Sequence, residues 1–421
     1  MCLARKTSSG GFAICRLPAK YFPYGGSKEE RPGKPMFFAV AAHSEDIDAR
    51  GVLDELLEQC REDLGNRVPQ AGILFCTFDL EHEELVRGID DAWPGIALIG
   101  CTTDGEFSSR LGFRDDSAAL ILLGSDSVEI TAGLGRDVSK DIAAACAQAV
   151  AMASATITKS PALCIALPES LTTSAQQIVE SLRQTIGAKV PVLGGTAGDA
   201  FKLTGTRQFC GREVCSDSVP ILLFSGPLVY SVAVASGWKP MGEPGLVTRS
   251  EVGLVHEIDG RPAIDFYRQR LGAQARPGPE NPLALLDELG VVACLRATAE
   301  GQIREGGAIN YLGDVREGAM VQITIADRSA ILEGARESIS KAFTDYPHGK
   351  TPTAALIFSC AARKLLLGTH TGEEIGIVQS VIGSQVPVCG FYGYGEIGPL
   401  DTKDPVSIFH NETFVSLILG T

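Results

Sequence analysis

The chain has 421 residues, 45% hydrophobic and 21% charged, so at the usual scale of about 150 residues per domain it holds two or three domains with a substantial core. Its 37 Lys and Arg against 51 Asp and Glu leave a net charge of −14, which excludes a nucleic-acid backbone as the main partner. No apolar run reaches the roughly 18 to 20 residues of a membrane span or resembles a secretory signal, and twelve cysteines without a CxxC pair are too sparse for a disulfide scaffold, so the chain reads as cytoplasmic with reduced thiols.

Residues 1–34 carry seven basic side chains against Glu29 and Glu30 and read as a disordered basic extension. From residue 35 the pattern changes to strands alternating with helices. FFAVAAHS (37–44) reads as a strand, ARGVLDELLEQCREDL (49–64) as a helix, AGILFCTF (71–78) as a buried strand, HEELVRGIDDAW (82–93) as a helix and GIALIGC (95–101) as a strand. The loop GCTTDGEF (100–107) then leads to a closing strand, SAALILLGS (117–125).

The same order recurs twice, and such internal similarity decides the reading of the whole chain. A second copy runs from SVEITAGLG (127–135) to SVPILLFSG (218–226), with the loop GGTAGDAF (194–201). A third is expected to start at MVQITIAD (320–327) and to end at TFVSLILG (413–420), with the loop GFYGYGEIG (390–398). GCTTDGE and GFYGYGE share Gly, Gly and Glu at equal offsets. Nearly continuous apolar strands between helices predict an α/β fold of repeated βαβαβ-type units, with mainly parallel sheets and helices on their faces. About 90 residues between the second and third copies break the pattern. The chain is therefore divided near residue 260, into 35–260 with two units and 261–421 with the third unit and an insertion.

IGCTTDGEF early, with FSCAAR, VCGFYGYGEIGP and FHNET late, resembles the FIST family over about residues 70–420, and GRPAIDFYRQRLG (260–272) looks like the start of its second domain. The resemblance implies two FIST-like domains in an intracellular sensory protein that binds a small ligand such as an amino acid. It also implies a signalling partner, a sensor kinase, chemoreceptor or cyclic-nucleotide enzyme; with no output domain visible in this sequence, that partner is a separate protein. One subgroup of the family binds haem and senses nitric oxide.

Ligands of α/β sheets gather where loops leave the carboxyl ends of strands, which nominates GCTTDGEF and GFYGYGEIG as pocket walls. Thr102, Thr103, Tyr392 and Tyr394 offer hydroxyls beside Phe391, and Glu106 and Glu396 suit an ammonium or guanidinium group. The same glutamates also suit the capping of tight turns. Cys360 and Arg363 follow a strand on the same rim. Arg363 either clamps a ligand carboxylate or pairs with Glu396 to brace the loops. His410 and Asn411 precede the last strand. No zinc spacing occurs among the six histidines. No cofactor is expected, although His256, His370 and His410 are the candidates for an axial haem ligand. The catalytic alternative is a cysteine-dependent hydrolase with Cys101 or Cys360 as nucleophile, His370 or His410 as base and Glu396 as the orienting carboxylate. Gly393, Gly395 and Gly398 match GxGxxG, but Pro399 follows and no helix opens there, which excludes a dinucleotide fingerprint.

Overall fold

The computed structural model describes residues 36–251, 253–298 and 303–421; the basic segment 1–34 lies outside them. The first unit contains β1 (Phe37–Ser44), α1 (Ala49–Leu64), β2 (Ala71–Cys76), α2 (His82–Ala92), β3 (Ala97–Thr102), a hairpin of β4 (Glu106–Ser108) and β5 (Gly112–Arg114), and β6 (Ala118–Ser125). The second repeats it as β7 (Glu129–Arg136), α3 (Ile142–Ser154), β8 (Pro161–Ala166), α4 (Ala175–Ile186), β9 (Val192–Gly195), the hairpin β10 (Gln208–Cys210) and β11 (Glu213–Cys215), and β12 (Ser218–Ser225).

The third unit opens with β13 (Val229–Ala235) and is interrupted at once. The insertion holds β14 (Lys239–Glu251), β15 (Leu254–Ile258), β16 (Arg261–Pro262), α5 (Ala263–Leu271), β17 (Leu283–Leu286), β18 (Val292–Arg296), β19 (Ile309–Asn310) and β20 (Met320–Ile325). The unit then resumes with α6 (Arg328–Asp345), β21 (Ala354–Cys360), α7 (Ala361–Leu367), α8 (Glu373–Ile382), β22 (Val388–Gly393), the hairpin β23 (Glu396–Gly398) and β24 (Ile408–His410), and β25 (Phe414–Gly420). MVQITI is thus not the first strand of the third unit. As β20 it pairs with β14 and β17 in a separate sheet, while β13 pairs with β25 from Val229↔Gly420 to Ala235↔Phe414. Two apolar strands precede α6, and local pattern does not reveal which one the closing strand selects.

The α/β fold of repeated units is as expected, and the sheets are mixed. In each unit one parallel pair lies at the centre, β2 with β3, β8 with β9 and β21 with β22, each joined by a helical crossover. The flanking strands run antiparallel. The hairpins are exchanged cyclically: β4 and β5 extend β22 of the third unit, β10 and β11 extend β3 of the first, and β23 and β24 extend β9 of the second. Each sheet is therefore completed by a neighbouring repeat.

Alternation along the strands explains why they read as continuously apolar. Ile73 and Phe75 of β2 point into a central core shared with Leu163 and Leu193 of the second unit and Leu356 and Val415 of the third. Leu74 and Cys76 point outward under α1 and α2. Both faces are covered, so both sets are apolar. Four helices, α1, α3, α4 and α6, start at side-chain caps: Asp48, Asp141, Ser174 and Asp327 accept from the backbone N–H of Gly51, Ala144, Gln177 and Ala330. No helix among the described residues is long and apolar enough to cross a membrane.

Candidate functional site

The loops that follow β3, β9 and β22 meet, because all three parallel pairs direct their carboxyl ends toward one junction. Asp104 N–H donates to Tyr392 O at 2.8 Å and Tyr392 N–H to Gly105 O at 2.9 Å. Gly198 N–H donates to Thr102 O, and Thr196 N–H to Gly395 O, both at 2.8 Å. Close approach demands glycine at particular positions. A Cβ on Gly198 would lie 2.1 Å from Asp104 Oδ2, and Gly105 has φ +115°. The two related Gly-Glu turns are therefore in direct contact.

Their glutamates have different surroundings. Glu106 is fully buried and accepts from the hydroxyls of Thr103 and Ser117. Ser117 in turn meets His43 Nε2 at 2.9 Å, and His43 Nδ1 lies 2.9 Å from Ser108 Oγ, both within hydrogen-bond distance. Burial, reinforced by Arg114, lowers His43 to about 4, so it is neutral. The equivalent position in the second unit is Gln208, whose Oε1 accepts from Ser218 Oγ at 3.1 Å. A neutral amide thus serves where Glu106 does, which marks Glu106 as a brace of the hairpin.

Glu396 is only half engaged. Its Oε2 accepts from Thr413 N–H at 3.0 Å and Thr413 Oγ1 at 2.8 Å, while Oε1 is buried with no N–H or O–H partner among the described residues, and only the weakly donating Cys360 thiol stands beside the carboxyl. Beside it stands Glu412, fully buried, with both carboxyl oxygens lacking a partner and a backbone φ of +60°. Asp104 Oδ2 and Thr196 Oγ1 at the same loop junction are likewise buried and unpartnered. Natural interiors leave few such atoms, each costing about 1–3 kcal/mol. Burial raises Glu396 to about 8 against the hydrogen bonds of Thr413, and Asp104 to about 7 against the attraction of Lys364. Burial and then the charge of Glu396 push Glu412 well above the carboxylate range.

The remaining candidates are tied to the protein. Arg363 is fully buried, but its ion-pair partner is Glu374 of α8 and not Glu396; it also donates to the carbonyls of Ser236 and Ile331. No fork is left for a ligand carboxylate. Tyr392 donates to Glu374, and Phe391 packs between Phe75 and Phe358 at ring distances of 4.7 and 5.8 Å. Thr102 Oγ1 accepts from Arg207 N–H at 3.0 Å. Tyr394 donates to Asp199, which also accepts from the backbone N–H groups of Leu203, Thr204 and Gly205. Burial alone would raise Asp199, but these hydrogen bonds outweigh it and hold its carboxyl low. Asn411 accepts from Ala297 N–H at 3.3 Å.

His410 is buried, its Nε2 donates to Gly398 O at 2.9 Å, and burial lowers it to about 4. His370 is half exposed on Glu373, and His256 lies in the insertion near Glu251. Burial raises the thiols of Cys101 and Cys360 well above their ordinary value, which suppresses the thiolate that a nucleophilic cysteine requires.

The FIST N domain matches residues 70–261 and the FIST C domain residues 263–399. The chain belongs to the FIST family. Relatives of this FIST protein include an uncharacterized protein of Mycobacterium tuberculosis, 25% identical over 367 residues that cover 84% of this chain and 92% of the relative. One from Methanocaldococcus jannaschii is 25% identical over 223 residues, 50% of this chain and 43% of that protein. Among solved structures, cyanuric acid hydrolase from A. caulinodans aligns over 91% of the FIST chain and 99% of its own at 11% identity, with a TM-score of 0.32, too low to bear on fold or chemistry. Asp104, Thr196 and Asp199 in the loops, Glu374 on α8 and Glu412 before β25 are candidate residues that sequence reasoning missed. Asp104 and Asp199 stood in the repeated loops and Glu412 in FHNET, but only the contacts distinguish them.

Proposed function

We propose that the protein is an intracellular small-ligand sensor whose ligand carries a protonated amine, as an amino acid does, and relays occupancy to a separate signalling protein such as a sensor kinase, chemoreceptor or cyclic-nucleotide enzyme. The observation that carries this reading is the group of buried, unpartnered acceptors: Glu396 Oε1, both oxygens of Glu412 and Asp104 Oδ2. Once ionised, these carboxyls accept and do not donate, so the complement of the ionised form is a donor-rich cation. An ammonium group would supply three donors to the coupled pair Glu396 and Glu412 and lower their carboxyl pKa values, replacing a desolvation penalty by charge-assisted hydrogen bonds. Arg363 takes no part in recognition in this reading, since Glu374 and the carbonyls of Ser236 and Ile331 engage four of its five N–H groups and leave no pair for a bidentate clamp.

The ligand acts by population shift, favouring the arrangement in which the three loops close around it. The test is thermal stabilisation by a panel of amino acids and simple primary amines, in the wild-type protein and in Glu396→Gln and Glu412→Gln. Ligand at about 100 times its Kd stabilises by about 2.7 kcal/mol. The expected result is stabilisation of the wild type by at least one amine and its loss in both variants. A panel without effect on the wild type, or variants that respond equally, would overturn the reading.

A further inference from the structure

A cavity of about 270 Å³ lies away from the loop junction, between α4, β24 and the insertion. Its walls carry three guanidinium groups, Arg183, Arg296 and Arg316, against two carboxylates, Glu180 and Asp314. Its lining charge is therefore a single positive surplus. Val179, Leu285 and Phe409 give it an apolar side.

Arg296 is 3% exposed, and its hydrogen bonds go to neutral oxygens: the carbonyls of Asp314, Leu295 and Phe409 and the side chain of Gln176. These four bonds leave one of the five N–H groups of a guanidinium free. A buried cation without a carboxylate partner is costly. Arg183 Nε is buried and has no hydrogen-bond partner among the described residues. Arg316 reaches Glu180 only at 3.9 Å, on the exposed rim.

We propose that this cavity binds a small organic monocarboxylate, its carboxylate received by Arg183 and the free N–H of Arg296, its apolar body against Val179, Leu285 and Phe409. The single surplus charge matches a monoanion, and Glu180 and Asp314 disfavour a dianionic phosphate. The volume is below the roughly 300–1,000 Å³ of drug-sized sites and suits a metabolite. The site is distinct from the amine site. It shares one segment with it, because Arg296 holds Phe409 O and Ala297 N–H holds Asn411, next to Glu412.

Cys294 lines the cavity and is partly exposed, as is Cys215 outside it, so alkylation by N-ethylmaleimide, mapped by mass spectrometry on the full chain, reports occupancy with an internal reference. Hexanoate or benzoate at about 10 mM is expected to slow Cys294 at least about fivefold and to raise Tm, with Cys215 unchanged. Arg183→Gln, at a partly exposed position, is expected to raise the half-protecting concentration about tenfold and remove the Tm rise. If Cys294 proves unreactive, the Tm comparison decides alone. Absence of both effects in the wild type, equal effects in Arg183→Gln, or equal effects of benzylamine or inorganic phosphate would overturn the proposal. None of these measurements depends on Glu396 or Glu412.

Discussion

Arg363 directs Nε and Nη2 to a single oxygen of Glu374, at 3.1 and 2.6 Å, and both side chains are out of contact with solvent. The pair ties α7 to α8, and Tyr392 joins it from β22. Breaking a buried pair by removing one partner costs about 3–5 kcal/mol, because the other charge is stranded. Arg363→Met is expected to lose stability in that range by urea denaturation. Arg363→Met with Glu374→Leu should recover much of it, and a double variant as unstable as the single one would contradict the assignment.

Glu106 and Gln208 occupy equivalent places in two sheets. Glu106→Gln is therefore expected to change stability by less than about 1 kcal/mol, one hydrogen bond being rearranged. Amine-induced stabilisation should be retained. Loss of the amine response in Glu106→Gln, measured by thermal shift, would return Glu106 to the binding site.

Glu412 combines a left-handed backbone with a buried, unpartnered carboxyl. Such a conformation costs a residue with a Cβ about 1–2 kcal/mol, and strain of this kind persists where function holds it. Glu412→Gly is expected to raise Tm while abolishing the response to amines. A lower Tm would show that the carboxyl stabilises the fold.

Stability should fall as pH rises from 6.5 to 8.5. Glu106 and Glu396 have folded pKa values near 8, above their unfolded values, so in this window the folded state binds more protons than the unfolded one and ∂ΔG/∂pH is negative. His43 and His410, lowered to about 4, act in the opposite direction and below this window: between pH 6.5 and 4 the unfolded state binds their protons, and stability is lost on acidification. Tm against pH should therefore decline on the alkaline side, less steeply in Glu396→Gln. A flat alkaline limb would contradict protonated carboxyls.

The candidate site was only partly legible. GCTTDGEF and GFYGYGEIG could be set side by side because their Gly and Glu residues match, and their contact follows from the repeat. The partner of Arg363 could not be read, since Glu374 and Glu396 both lie within reach along the chain. Gln208 escaped alignment with Glu106 because the second loop is longer before its hairpin.

By itself the amino-acid order determined the α/β class, the triplicated unit and the family, because strand and helix periodicities are local and the repeat displays them three times. Only the tertiary structure decided that the hairpins are exchanged between repeats, that β13 and not β20 opens the third unit, and which carboxylates lack partners. Those features depend on pairing between residues as much as 285 positions apart, as in Phe391↔Glu106, and burial in a shared core is set by the assembled sheets rather than by any one segment.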